Sequence, residues 1–545
     1  MRGVWLLALV AACGSGAPPA ACVNTPPEKS TVRALATAAA AYGRQFVVDC
    51  VGDGLLGAAP ETCAALSAMT PGLHRDSWQA NYLNFDDASD PEHGGLLDEQ
   101  TYVTLMLGDP SAYKGRALLA AYEVDGDAGA LATFRQTFLP AWLDKQLPSA
   151  ALGLGASVRF GASATPDDAR DVTLDATGAF AQAATLAAGA DGRLGTADDV
   201  VTWRWNGHSP LHTAVLADAL AAYQRLTSDG AVVAPLDAAG RFLVGLQRSD
   251  GAWAYAIAPA GAPPDALTTA VTAMALASLG RAPLPHASDF AAAAARATAW
   301  LQSAPLDSVG AGAAIALFLD AGDSATASRV ADALLARMTT PAGCGFGDHG
   351  FAGDAHALGG IAGGGAVTFQ SPWPTTYAVA ALLRLAAATG QSRYRDAADL
   401  AVAWLADKIE RARAPGDVAS VQDLRGGVAA VADGGWWGLV PEGYEPDATS
   451  DNLPHRVLAW VPDPSTSLDQ RPQSWLERET GTDEERILAG RVRADPYFAH
   501  ISYDNPWSGG PDGVVPVDLG HVSPGINPLT SDDAALALFD YLQLR

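Results

Sequence analysis

The chain has 545 residues, 49% of them apolar and 17% charged, with 56 Gly and 35 Pro. That balance excludes a disordered chain and fits a large core interrupted by many turns. Length alone suggests about three domains, but stacked helical repeats share one continuous core and escape that rule. A net charge of −26 repels phosphate backbones, which argues against nucleic acid as a partner and disfavours polyanionic glycans.

Met1-Arg2 is a short basic start, and Gly3 to Val10 is apolar. So short a run does not span about 30 Å of hydrocarbon, so it reads as an export signal rather than a retained helix. Val10-Ala11-Ala12-Cys13 resembles the lipobox of bacterial lipoproteins. The resemblance implies that residues 1–12 are removed and that Cys13 is acylated. Residues 13–30, rich in Gly, Ser and Pro, then form a flexible tether. The expectation is an exported cell-envelope lipoprotein, at the outer membrane or cell surface, that meets the membrane through its lipid anchor only. Secretory cleavage nearby, before Cys22, is the alternative. Cys50 and Cys63 bracket a Gly-rich loop and suit a local disulfide in an oxidising compartment.

Residues 31–545 read as one all-α domain of helical hairpins. Ala-Trp-Leu recurs at 141–143, 299–301 and 403–405, near the ends of Ala-rich runs, and Arg241-Phe242-Leu243 has an equivalent setting. A second pattern opens a helix with Thr, at Thr213, Thr268-Thr269 and Thr375-Thr376. The separations are about fifty-five residues or twice that, which is room for two helices and their loops. Helices with Ala and Leu on most faces are buried on more than one side. Ser209-Pro210 and Ser371-Pro372 read as helix starts, and Gly280 and Gly390 as helix stops.

Residues 151–207 break the pattern with strand and turn character. Within them, Asp191, Asp198 and Asp199 sit in Ala190-Asp191-Gly192-Arg193-Leu194-Gly195-Thr196-Ala197-Asp198-Asp199, which resembles acidic calcium loops of exported bacterial proteins. Calcium takes several oxygen ligands of this kind, and an Asp/Gly turn without an ion is the alternative. Trp203, Trp205, His208 and His212 follow as candidate ligand contacts. His208 and His212 are four apart, but Pro210 places the helix start between them.

Residues 210–413 carry the clearest repeats. The segment Arg241-Phe242-Leu243-Val244-Gly245-Leu246-Gln247-Arg248-Ser249-Asp250-Gly251-Ala252-Trp253 resembles the QW motif of squalene and terpenoid cyclases. The resemblance implies the (α/α) toroid of that superfamily, which includes protein prenyltransferase β subunits and thioester domains and is similar to carbohydrate-active toroids. It implies fold rather than chemistry. In it Gln247 caps helix ends, Gly251 permits a tight turn and Trp253 packs over a neighbouring repeat.

The markers of particular toroid enzymes depart from their patterns. No Asp-x-Asp-Asp is present, which argues against a terpenoid-cyclase relative. Asp86-Asp87-Ala88-Ser89-Asp90 precedes Pro91 in a polar stretch, unlike a helical diphosphate site, and Gly343-Cys344-Gly345-Phe346 departs from a thioester segment.

Residues 414–530 are rich in Pro, Gly, Asp and Trp, and long irregular stretches of this kind commonly carry function. Trp436 and Trp437 are suited to stacking on sugar rings, beside Glu442, Tyr444, Asp447, His455 and Arg456. Glu442 and Asp447 are the candidate acid and base of a glycoside hydrolase. Tyr444, His455 and Arg456 are the candidate proton-handling groups of a polysaccharide lyase. Trp253, Trp373 and Tyr377 are further candidate substrate contacts. The expectation is an exported carbohydrate-active enzyme with a glycan or other extracellular ligand, calcium as the one candidate cofactor and no organic cofactor. A non-catalytic binding scaffold on the same toroid is the alternative.

Overall fold

A computed structural model describes residues 27–44, 102–106, 108–150, 155–160, 172–180, 183–187, 200–204, 210–255, 262–341, 357–364, 367–370, 372–408, 458–459, 499–500 and 528–545. Among them the architecture is mostly helical, as expected of an all-α chain.

In chain order the elements begin with α1 (Lys29–Arg44), β1 (Tyr102–Met106), α2 (Gly108–Asp125) and α3 (Ala128–Thr133). A π-turn at Phe134–Phe138 leads into α4 (Leu139–Asp144). Strands β2 (Ser157–Phe160), β3 (Val172–Asp175), β4 (Ala183–Ala187) and β5 (Val200–Arg204) follow. Next come α5 (Leu211–Thr227), α6 (Val233–Gly245), β6 (Trp253–Ala254), β7 (Pro264–Asp265), α7 (Ala266–Arg281) and α8 (Ala287–Leu301). The remainder are α9 (Ser308–Asp320), α10 (Ser324–Leu335), β8 (Ala362–Gly364), β9 (Val367–Gln370), α11 (Pro372–Thr389), α12 (Ser392–Lys408), β10 (Leu458–Ala459), β11 (Ala499–His500) and α13 (Pro528–Leu544).

Six helices pack in cyclic order: α2 on α5, α5 on α7, α7 on α9, α9 on α11, α11 on α13, and α13 back on α2. Each has a companion outside the cycle. Helix α3 packs on α2, α6 on α5, α8 on α7, α10 on α9 and α12 on α11, while α13 pairs with α1 from the other end of the chain. The sequence repeats map onto this division. Thr213, Thr268-Thr269 and Thr375-Thr376 open inner helices, whereas Trp142, Trp300 and Trp404 lie in outer ones.

Inner helices are parallel, because their partners meet at equal heights. Gly312 in the second turn of α9 abuts Tyr377 in the second turn of α11. Arg281, which ends α7, pairs with Asp320, which ends α9, at 2.9 Å. Ala and Gly at these contacts let the axes approach closely. A Cβ on Gly312 would lie 2.6 Å from that of Tyr377.

Asp residues start several helices by accepting backbone N–H groups that have no intrahelical partner. Asp127 does so for α3, Asp265 for α7, Asp307 for α9 and Asp323 for α10. Gly390, at φ +70°, follows α11 as a stop, as expected. Gly280 differs from expectation: it lies inside the last turn of α7, and a Cβ there would sit 2.9 Å from Ala291 on α8. Its role is close helix crossing. Helix α5 begins at Leu211 with Pro210 as the capping residue, so Pro210 stands one position earlier than expected, and Ser209 lies outside the described residues. Ser371 does too, while Pro372 is the first residue of α11, as expected.

The QW-like segment behaves as a staple. The Gln247 side-chain amide donates to Gly251 O at 2.8 Å and to Ala293 O on α8 at 2.9 Å. Trp253 is fully buried, and its indole N–H donates to Leu243 O at 2.8 Å. Its place is the core, not a ligand surface.

Two further copies of the staple emerge in three dimensions. The Gln146 amide donates to Gly178 O and to Pro235 O, and Phe180 bridges back to Gln146. Thr339 and Gly359–Gly360 exchange backbone bonds, and Ile361 bridges Met338. Gly178, Gly251 and Gly359 all have positive φ and lie against the backbone of the next outer helix.

Strands occupy the connections. β4 pairs antiparallel with β1 and β5, and β2 with β3, which matches the strand character expected of residues 151–207.

Candidate functional site

The connections divide by length according to which end of the cycle they serve. Inner helices lead to their outer companions through short turns at 126–127, 228–232, 282–286, 321–323 and 390–391. Most outer helices return to the next inner helix through long ones, at 45–107, 145–210, 246–265, 336–371 and 409–527. Because the inner helices are parallel, all the long connections attach at one end, where those helices begin.

Short side chains on the inner helices leave space between them. A cavity of about 240 Å³ is walled by all six, with Ala214, Ala275, Ala316 and Ala380 among its apolar lining. Towards the long-connection end, Tyr113 of α2 and Tyr377 of α11 share a hydrogen bond of 2.6 Å. The Trp373 indole N–H donates to the Tyr113 hydroxyl at 3.3 Å. Helices α2 and α11 are not neighbours in the cycle, so this bond reaches across α13.

Towards the short-turn end the wall is charged. Arg116 of α2 faces Asp218 of α5 at 3.8 Å. Asp320 of α9 takes Arg281 of α7 on one oxygen and Arg384 of α11 on the other. Asp540 of α13 completes the belt, and burial raises its carboxyl to about 6 against the pull of Arg116 and Arg384.

At the other end, Asp307 caps α9 through Gly310 N–H and is likewise raised to about 6. Burial is the main cause, and neighbouring Asp265 adds to it while Arg337 opposes it. Arg337 is engaged by Leu306 O at 2.8 Å and by the Ser308 hydroxyl.

Of the residues singled out from sequence, Trp373 and Tyr377 are brought together, and Tyr377 lines the cavity. His212 stands in the first turn of α5, half-buried. Trp203 is on β5, opposite Ala184. Trp205, His208, Asp191, Asp198, Asp199, Trp436, Trp437, Glu442, Tyr444, Asp447, His455 and Arg456 lie outside the described residues, as do Cys13, Cys50 and Cys63. Among the described residues, no group of three His, Cys, Asp or Glu could hold a metal ion, and no helix is long and apolar enough to cross a membrane.

Sequence reasoning passed over Tyr113 and the charged belt. The available signal was sparse charge in apolar runs: Arg281 in α7, Asp320 in α9 and Arg384 in α11 are the lone charged residues of their helices. The chain matches no protein-family model and no curated protein.

Proposed function

We propose that the chain is an (α/α) toroid of six helical hairpins, and that its long-connection end carries a carbohydrate-active site, either a glycoside hydrolase or a polysaccharide lyase. The supporting observation is the asymmetry of the connections. Every long one belongs to the end where the inner helices begin, and the Trp-rich segment holding Glu442 and Asp447 is the connection from α12 to α13. Loops grafted on one face of a rigid scaffold are the usual carriers of binding and catalytic groups. Tandem Trp beside carboxylates suits sugar stacking with acid–base chemistry. Export by a lipoprotein signal is consistent with an extracellular polymer as substrate, and Asp191, Asp198 and Asp199 offer oxygen donors to calcium.

The test is a glycan panel assayed on a soluble form that starts after the tether, with calcium and with EDTA. New reducing ends without ultraviolet-absorbing products would identify a hydrolase. Reducing ends with unsaturated products would identify a lyase. On a hydrolysed glycan, Glu442→Gln and Asp447→Asn should each lower kcat by about 10²-fold or more. Silence across neutral and acidic polymers from a folded protein would leave the non-catalytic scaffold.

A further inference from the structure

Each of the six inner helices contributes one charged side chain to the short-turn end of the central cavity. Around the cycle they are Arg116, Asp218, Arg281, Asp320, Arg384 and Asp540, so the sign alternates at every step and the belt is neutral. This neutrality stands against a chain that carries −26 overall.

One side of the belt satisfies itself. Asp320 binds both Arg281 and Arg384. The other side does not. Arg116 approaches Asp218 only to 3.8 Å, and its buried Nη1 has no hydrogen-bond partner. Asp540 accepts no hydrogen bond from any described residue. Buried donors are normally satisfied, and one that is not points to a missing acceptor. Between Arg116 and Asp540 there is therefore a place for a molecule that accepts hydrogen bonds and donates them.

We propose that this pocket binds a single neutral sugar of monosaccharide size, which accepts from Arg116 and donates hydroxyls to Asp540 and Asp218. The chemistry favours a neutral, hydroxyl-rich ligand over a simple ion. An anion or a cation would enter a belt with no net charge of its own, and a charge that matched Arg116 or Asp540 would be repelled by its opposite beside it. A sugar meets no such repulsion, because every hydroxyl both donates and accepts and adjacent hydroxyls span a guanidinium and a carboxylate. Its C–H faces find the apolar wall of Ala214, Val271, Met274, Ala316 and Ala380. At about 240 Å³ the space lies below the range of about 300–1,000 Å³ that holds drug-sized ligands. A single ring matches that space.

The charged belt that would hold the sugar lies toward the end of the cycle opposite the long connections, so binding there is measured apart from catalysis. Titration calorimetry on the folded full-length protein, taken to millimolar ligand, tests it directly. The probes are D-glucose, D-galactose, D-mannose and D-xylose, with glycine betaine as a zwitterion and D-glucuronate as an anion. At least one neutral sugar should bind saturably. Asp540→Asn, which removes the accepting charge, and Ala316→Leu, which fills the pocket without touching the belt, should each weaken that binding at least tenfold while the unfolding midpoint is kept. No saturable binding of any neutral sugar by the folded protein would overturn the proposal. So would neutral-sugar binding that survives Ala316→Leu unchanged, or binding confined to glycine betaine or glucuronate.

Discussion

At the scale of single residues, the staple glycines and the raised carboxyls govern stability most directly. Gly251 has φ +96°, and a Cβ there would lie 2.8 Å from Arg296 O. Gly359 is tighter, with 2.1 Å to Leu400 O. Both backbone strain and contact oppose any side chain, so Gly251→Ala should cost more than about 1 kcal/mol, and Gly359→Ala more than that, in urea unfolding. Asp540 acts through pH. Its folded pKa of about 6 exceeds the ordinary 3.8, so the folded chain holds this proton more tightly than the unfolded one. The resulting stabilisation is complete below about pH 4 and is lost as pH rises through 6. Between pH 7 and pH 5 the native protein should therefore gain stability relative to Asp540→Asn, by on the order of 1 kcal/mol. Parallel pH dependence of the two proteins would show that the group does not titrate in this way.

At the scale of helices, the join between α2 and α13 depends on a pair of charges removed from water. Lys114 Nζ lies 2.9 Å from Asp532, with side chains 1% and 0% exposed. Removing one partner takes a compensating charge from a site buried away from water, which is costlier than losing a surface ion pair. Lys114→Met should destabilise by about 3–5 kcal/mol. Arg225→Gln offers the contrast. Its bidentate pair with Glu123, at 2.7 and 2.9 Å, joins α5 to α2 at an exposed position. That loss should stay under about 1 kcal/mol. Chemical denaturation of the two variants side by side separates a buried link from a solvated one.

At the scale of the molecule, closure of the cycle falls to the two ends of the chain. Helix α13 packs against α1, α2 and α11 at once, and Ala534–Phe539 are buried throughout. Removing residues 528–545 exposes the facing sides of these helices and of α12, and opens the central cavity. Such a chain should lose its single cooperative unfolding transition and bind a hydrophobic dye, with circular dichroism and dye fluorescence as the readouts.

Much of this molecule was legible from its residues because helical burial leaves a periodic mark. Ala-Trp-Leu and the Thr-led runs marked two recurring kinds of helix, which the packing then places outside and inside the cycle, since a helix surrounded by others needs small and apolar residues on most faces. The staple around Gln247 and Trp253 was readable because its motif residues, Arg241 to Trp253, are contiguous in sequence. Its copy at Gln146 and Gly178 was not, because the long connection from α4 to α5 separates the two halves. The charged belt was hidden for the same reason in stronger form. Arg116 and Asp540 stand on helices from opposite ends of the chain, each among other charged residues, so neither is marked out in the sequence. Periodicity along a chain reports which face of a helix is buried. Only the closing of six such faces around one space decides which buried charges meet, and whether they satisfy one another or wait for a ligand.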